Sequence, residues 1–160
     1  MPVTLEGSCH CGAVTFSVES HTPHPYQRCY CSICRKTAGG GGYAINLGGD
    51  MSTLKVEGEQ NIAVFHARID GGESEGERRF CKTCGSALWV WDPRWPELVH
   101  PFASAIDSDL PVPPERVHLM LAYAPDWVQP DIRDNDQQFD EYPLESIAGW
   151  HDKRGLTTKG

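Results

Sequence analysis

The chain has 160 residues, 39% of them hydrophobic and five of them tryptophan, enough apolar material for one folded domain. Fourteen Lys and Arg stand against 22 Asp and Glu, a formal charge of −8 at pH 7, and this balance argues against a nucleic-acid-binding zinc ribbon, which needs a basic footprint. No run approaches the roughly 18 apolar residues of a membrane span, and the start MPVTLEGSCH shows no basic segment, apolar stretch or small-residue cleavage signal, so a soluble, cytoplasmic protein is expected.

Taken in chain order, the pattern is one of short strands punctuated by turns. Residues 13–19 alternate apolar and polar positions and predict a strand. Residues 32–38 predict a short helix, and the glycine run 39–42 reads as a flexible turn or as a place where a ligand approaches the backbone. Strands are predicted at 43–47, 53–57 and 61–68, and the acidic, glycine-rich segment 70–77 reads as a solvated hairpin connection. Further strands are expected at 78–81, 86–91 and 117–123, with a second short helix at 144–150. Residues 1–150 are read as a single domain, and 151–160 as a polar C-terminal tail that frays. The class is mainly β.

Seven cysteines fall into three groups: Cys9 and Cys11 in GSCHCG, Cys29, Cys31 and Cys34 in CYCSIC, and Cys81 and Cys84 in CKTCG. Residues i and i+2 of an extended segment point the same way, so Cys9 and Cys11 on a strand would grip one ion together. Gly85 lets the chain turn with positive φ after Cys84, which brings both thiolates of C-x-x-C-G to one metal. Pairing the first group with the last gives four sulfurs from two arms, the ligand set of a closed structural zinc. The middle group supplies three thiolates from six consecutive residues and has no adjacent fourth ligand, the arrangement of a zinc site that keeps a position open for chemistry. The count therefore predicts two zinc ions per chain, one closed and one open.

Competing uses of the cysteines are weaker. An odd count leaves one thiol unpaired, and C-x-C is a poor disulfide with itself, so a disulfide framework is disfavoured. Iron–sulfur ligation remains the competing metal chemistry. His24, five residues before Cys29 and between two prolines, is the nearest histidine that would close the second site.

GSCHCGAVTF, then C-x-C-x-x-C-R-K, then RRFCKTCGSAL, then AIDSDLPVPPERVHLMLAYAPDW together resemble the glutathione-dependent formaldehyde-activating enzyme family, which includes centromere protein V. The resemblance covers residues 5–127. It rests on the cysteines with their flanks Gly7, Gly12, Ala13, Val14, Arg79, Phe80, Gly85 and Ser86, and more loosely on Asp107, His118 and Trp127. Tyr30 departs from the small or polar residue expected at its position. The resemblance implies an Mss4-like fold of small antiparallel β-sheets organised around a four-cysteine zinc site. It also implies Cys9, Cys11, Cys81 and Cys84 on a structural zinc, with Cys29, Cys31 and Cys34 on a reactive one. The implied reaction adds the sulfur of glutathione, or of another small thiol, to formaldehyde or a related aldehyde, the chemistry of a carbon–sulfur lyase of the S-(hydroxymethyl)glutathione synthase type.

Glutathione carries two carboxylates, so an acidic protein must offer it local cations. Arg35 is the first candidate and Arg28 the second, because both flank the three-cysteine group and a guanidinium recognises a carboxylate through two parallel hydrogen bonds. Two other readings follow from the same residues. A zinc-stabilised binding module, with both metal sites structural, needs no turnover. A methionine sulfoxide reductase needs a free nucleophilic cysteine, and here every cysteine already has a metal role.

Overall fold

The computed structural model describes residues 1–159. The strands Val3–Ser8 and Thr15–Ser20 form an antiparallel hairpin in which Leu5 pairs with Val18 and Gly7 with Phe16. Alternation turns these four residues inward, where all are buried. Gly7 is required there: a Cβ would lie 2.4 Å from the Phe16 ring and 2.6 Å from the Ala105 carbonyl. Lys55–Glu57 adds a third antiparallel strand on the Thr15–Ser20 edge.

A second, wholly antiparallel sheet has the order Gly49–Asp50, Leu98–Pro101, Ala87–Trp91, Glu77–Cys81, Ile62–Phe65. Leu88, Trp89 and Val99 from this sheet meet Leu5, Phe16 and Val18 from the hairpin sheet in the first core, with Phe16 and Trp89 edge to face at 5.0 Å. Cys9 and Cys81 belong to the same core. The third sheet has the order Gln137–Gln138, Val117–Leu119, Gln27–Cys29, Ala44–Ile45, and its first two pairings are parallel. Helix α1, Ser32–Ala38, leaves directly from this sheet. Tyr26, Phe102, Val117, Leu119 and Trp150 form the second core, which includes Cys29 and Cys34. The fold is therefore mainly β, as expected, and each cysteine site sits on the margin of one core.

Several predicted strands are shorter than their patterns. The 61–68 segment breaks at His66, whose Nδ1 meets the Ser74 carbonyl at 3.0 Å, giving Ile62–Phe65 and a separate exposed hairpin, Arg68–Ile69 with Gly72–Glu73. The 117–123 segment stops at Leu119, because Met120 takes positive φ and a 3-10 turn covers Leu121–Tyr123. The first predicted helix is found as α1, while the second lies three residues later, as α2, Ile147–Lys153.

The C-terminal segment does not fray as its polarity suggested. Trp150 and His151 are fully buried, and the Trp150 indole stacks on Tyr26 at 3.7 Å with planes 7° apart. Arg154 also lies over the Trp150 ring, 4.5 Å from its centroid, and is held by Glu145 and Glu115. The Thr158 N–H then donates to the His21 carbonyl at 2.9 Å. Three aromatic and cationic layers outweigh the polar composition of the segment. Replacing Trp150 with Ala should cost about 3–5 kcal/mol, read as a shift in the denaturant midpoint; a loss below about 1 kcal/mol would show that the stack is peripheral to stability.

His151 also imposes a pH dependence. The His24 N–H donates to its Nε2 at 3.0 Å, so Nε2 must be unprotonated, while Nδ1–H donates to the Ile147 carbonyl at 2.8 Å. Burial holds the imidazoles of His24, His100, His118 and His151 below the ordinary value of 6.5. Unfolding releases these groups to bind protons that the folded chain refuses, so stability is full above that value and declines as pH falls below it. Melting temperature should drop from pH about 7.5 to about 5.5, with a shallower slope in His151→Gln. A flat profile in the native chain would contradict the assignment.

Candidate metal centres

The first centre joins two turns. Cys9 and Cys11 lie in the turn of the first hairpin, not on a strand as their spacing suggested, because Gly12 takes φ of 80° and the chain folds back with the Cys9 N–H on the Val14 carbonyl at 3.0 Å. Cys81 ends its strand and Cys84 occupies the following turn, where Gly85 takes φ of 78° and its N–H reaches the Cys81 carbonyl at 2.8 Å. A register slip between Arg79 and Phe80 re-aims the strand just before it delivers Cys81.

The four sulfur atoms of Cys9, Cys11, Cys81 and Cys84 lie within 4.8 Å of one another, with Cys9 to Cys11 at 3.6 Å and Cys11 to Cys81 at 3.7 Å. Backbone N–H groups point at them: Val14 donates to Cys9 Sγ at 3.3 Å and Thr83 to Cys81 Sγ at 3.4 Å. The Ser86 hydroxyl and neighbouring backbone N–H groups hold the Cys84 thiol down to about 5. For Cys11 the backbone N–H of Ala13 pulls the other way, but the crowding sulfurs prevail and push it up to about 11. Thiolates this close repel one another, and a divalent cation at their centre removes that conflict. This set could hold a metal ion.

The second centre is built at the start of α1. Cys29 ends the strand Gln27–Cys29, Cys31 is the N-cap of the helix and Cys34 lies in its first turn, so three sulfurs converge from one strand-to-helix junction. The Cys34 N–H donates to Cys31 Sγ at 3.3 Å. Hydrogen bonds from Cys29 and Cys34, together with backbone N–H groups of Cys34 and Ile33, hold Cys31 well below the ordinary thiol range, while the sharing of protons and burial push Cys29 up. Cys29 and Cys34 are buried and Cys31 is half-buried, so the cluster faces outward through Cys31. Among the described residues no fourth ligand joins it. His24 is turned to His151 instead, ring to ring at 5.4 Å.

The two candidate substrate arginines are not brought together. Arg35 projects from α1 into a polar cleft of about 640 Å³, which also has Lys36, Ser86 and Asp107 in its walls and Cys9 of the first centre at its edge. Gly39 and Gly40 of the glycine run line the same cleft. Arg28 lies instead over the Tyr43 ring at 4.6 Å, between two other cavities of about 540 and 520 Å³.

Two features escaped the sequence reading. Arg78, on the strand leading to Cys81, sends Nη2 to within 3.8 Å of Cys34 Sγ. Tyr30, between two cysteines, donates from its hydroxyl to His118 Nδ1 at 2.9 Å, and His118 Nε2–H donates to Asp136 Oδ2 at 2.9 Å. Arg116 clamps the same carboxylate at 3.1 and 3.2 Å. Burial alone would raise Asp136, but the bonds from His118, the Arg133 and Arg116 backbone and the Arg116 side chain hold it well below the carboxylate range. An ionised Asp136 fixes the tautomer of His118, which fixes Tyr30 and hence the backbone between Cys29 and Cys31. Only the departure of Tyr30 from the family pattern signalled this network in the sequence.

A small, mainly β domain with two cysteine clusters able to hold metal defines a class, and comparison with known proteins narrows it. The family model described as glutathione-dependent formaldehyde-activating enzyme matches residues 4–120. A Halomonas elongata protein is 68% identical over 152 residues, 95% of this chain and 97% of its own, and bears the provisional name of a glutathione-dependent formaldehyde-activating enzyme. The crystal structure of a Rhodobacter sphaeroides protein from a structural genomics programme is similar, at 28% identity and a TM-score of 0.52, covering 66% of this chain and 91% of that one. The chain belongs to the glutathione-dependent formaldehyde-activating enzyme family.

The wiring of the two centres predicts different costs for losing one ligand. Cys81→Ser breaks a junction between segments 70 residues apart in sequence, as Cys11 to Cys81 shows, and binding at a structural zinc site is worth on the order of 10 kcal/mol, comparable to a domain's whole stability. It should lower the melting temperature severely. Cys31→Ser touches a local junction and should leave a folded chain short of one metal ion. Equal damage from both would assign both centres to structure alone.

Proposed function

We propose that this protein catalyses addition of a thiol, glutathione in the first instance, to formaldehyde or a related small aldehyde. The bond formed is sulfur to carbon, and the thiol proton ends on the aldehyde oxygen, giving S-(hydroxymethyl)glutathione. The observation that carries this reading is the three-sulfur cluster, half-open at Cys31 and without a fourth protein ligand among the described residues; the polar cleft of Arg35 and Lys36 shares helix α1 with Cys34, though Cys9 and not these three sulfurs lies in its wall.

We assign zinc to both centres. A tetrahedron of Zn–S bonds of about 2.3 Å has edges of about 3.8 Å, close to the sulfur separations of 3.6 and 3.7 Å in the first centre. Cys9, Cys11, Cys81 and Cys84 would hold the structural ion, and Cys29, Cys31 and Cys34 the reactive one. Zinc held at the second centre would supply positive charge that favours the nucleophilic, deprotonated form of an incoming thiol.

The protein's own groups bind and orient. Arg35 and Lys36 form no ion pair with the described residues, so both remain available to the two carboxylates of glutathione. Asp107, which accepts from the Ser8 hydroxyl at 2.5 Å, offers a carboxylate to the substrate's ammonium group. The cleft volume of about 640 Å³ accommodates a tripeptide. Arg28 has its own place beside Tyr43 and takes at most a second contact with substrate. Seven cysteines with no disulfide among them suit a reducing cytoplasm, and no helix is long and apolar enough to cross a membrane.

Exchange spectroscopy by NMR on glutathione and formaldehyde should show faster interconversion with S-(hydroxymethyl)glutathione in the presence of the zinc-loaded protein, and no acceleration with Cys31→Ser. Calorimetry should show Arg35→Ala weakening glutathione binding by about 1–3 kcal/mol. Equal acceleration by the native and Cys31→Ser proteins would remove the second centre from the reaction, and unchanged affinity would remove Arg35 from the cleft's binding role.

A further inference from the structure

We infer that Arg78 is the positioning residue of the second centre: its guanidinium holds Cys34 and balances the charge of the three-sulfur cluster, and thereby sets how tightly that cluster keeps its metal. The inference rests on the reading of Cys29, Cys31 and Cys34 as a metal site. Three observations carry it.

The first is position. Along Glu77–Cys81 the side chains alternate, so Arg79 pairs with Glu77 on one face at 2.6 Å while Arg78 projects to the opposite face and reaches α1. Its Nη2 lies 3.8 Å from Cys34 Sγ. The second is orientation. Nη1 donates to Thr37 Oγ1 at 3.1 Å, and that hydroxyl spends its own proton on the Ile33 carbonyl at 2.6 Å, so its lone pair is left to fix the guanidinium. A planar fork anchored at one end is aimed at the sulfur from the other.

The third is charge. Arg78, like Arg28, Arg35 and Arg68, forms no ion pair with a carboxylate among the described residues, but of these four it is the one whose guanidinium reaches a cysteine sulfur. Its counter-charge is the sulfur cluster. Three thiolates around a divalent cation leave one net negative charge, in a place where Cys29 and Cys34 are buried and water compensates little. One guanidinium brings that sum to zero. A fourth thiolate arriving as substrate would add another negative charge, and Arg78 offsets part of its repulsion. Hydrogen bonds to ligands from such neighbours commonly change metal affinity by about 10–100-fold.

The experiment uses Co²⁺ in place of zinc, because cobalt–thiolate bands report each centre directly, with chelator competition to measure affinity. The native chain should take up two ions. Arg78→Gln should bind the ion of the second centre at least about tenfold more weakly and shift its thiolate band, with the first centre unchanged. Arg78→Lys, which keeps the charge but loses the fork, should recover part of the affinity. If the native chain binds two ions and Arg78→Gln holds both as tightly with the same spectrum, the inference fails while the metal reading stands. If the native chain binds only one ion, the metal reading of the second centre fails first. A variant that merely loses thermal stability while keeping both affinities would also overturn the inference, since that is what a purely structural arginine would show.

Discussion

Everything in this molecule is arranged around the meeting of Cys9 and Cys11 with Cys81 and Cys84. Four sulfurs within 4.8 Å demand a cation or protons, and either way they fasten the turn of the first hairpin to the end of a strand in another sheet. The hairpin of Val3–Ser8 and Thr15–Ser20 supplies one wall of the first core and Ala87–Trp91 the other, so the sulfur junction sits where the two sheets close on Leu5, Phe16 and Trp89. A chain of this length with strands of two to six residues has little sheet to rely on. A metal ion held there would cross-link the sheets and remove much of the loop entropy that short strands cannot offset.

The second cluster obeys different physics. Cys29, Cys31 and Cys34 come from one strand-to-helix junction, and the backbone N–H groups that open α1 already favour negative charge at Cys31. Little chain entropy is at stake there, which suits the chemistry proposed for this cluster. What it needs is fixed geometry, and two sets of neighbours provide it. Tyr30, His118 and Asp136 lock the backbone between the first two cysteines from one side, and Arg78 with Thr37 holds Cys34 from the other. The strand that carries Arg78 ends at Cys81, so one rigid element touches both centres.

The cleft beside α1 would give an acidic protein a place for the anionic substrate proposed for it. A net charge of −8 repels it in bulk, yet Arg35 and Lys36 in the last turn of α1 create a local positive wall. Asp107 in the same cleft makes its lining bipolar, which would suit a zwitterionic peptide more than a simple anion.

Much of this was legible in the sequence. Cysteine spacing, with Gly85 for a positive-φ turn, marked each local sulfur pair and the three-cysteine group, because ligand geometry constrains residues close in sequence, while the pairing of Cys9 and Cys11 with Cys81 and Cys84 across 70 residues followed from the cysteine count. The helix at 32–38 and the mainly β class followed from local pattern for the same reason. Strand ends at His66 and Leu119 did not, since they are set by contacts with Ser74 and by the backbone of Met120. Nor did the C-terminal segment, whose polar composition hides Trp150 stacked on Tyr26, a partner more than 120 residues away. Only the tertiary structure separated Arg35 from Arg28, brought Arg78 to Cys34 and joined Tyr30 to Asp136. Those pairings depend on which side chains long-range sheet pairing makes neighbours, and no local spacing encodes that.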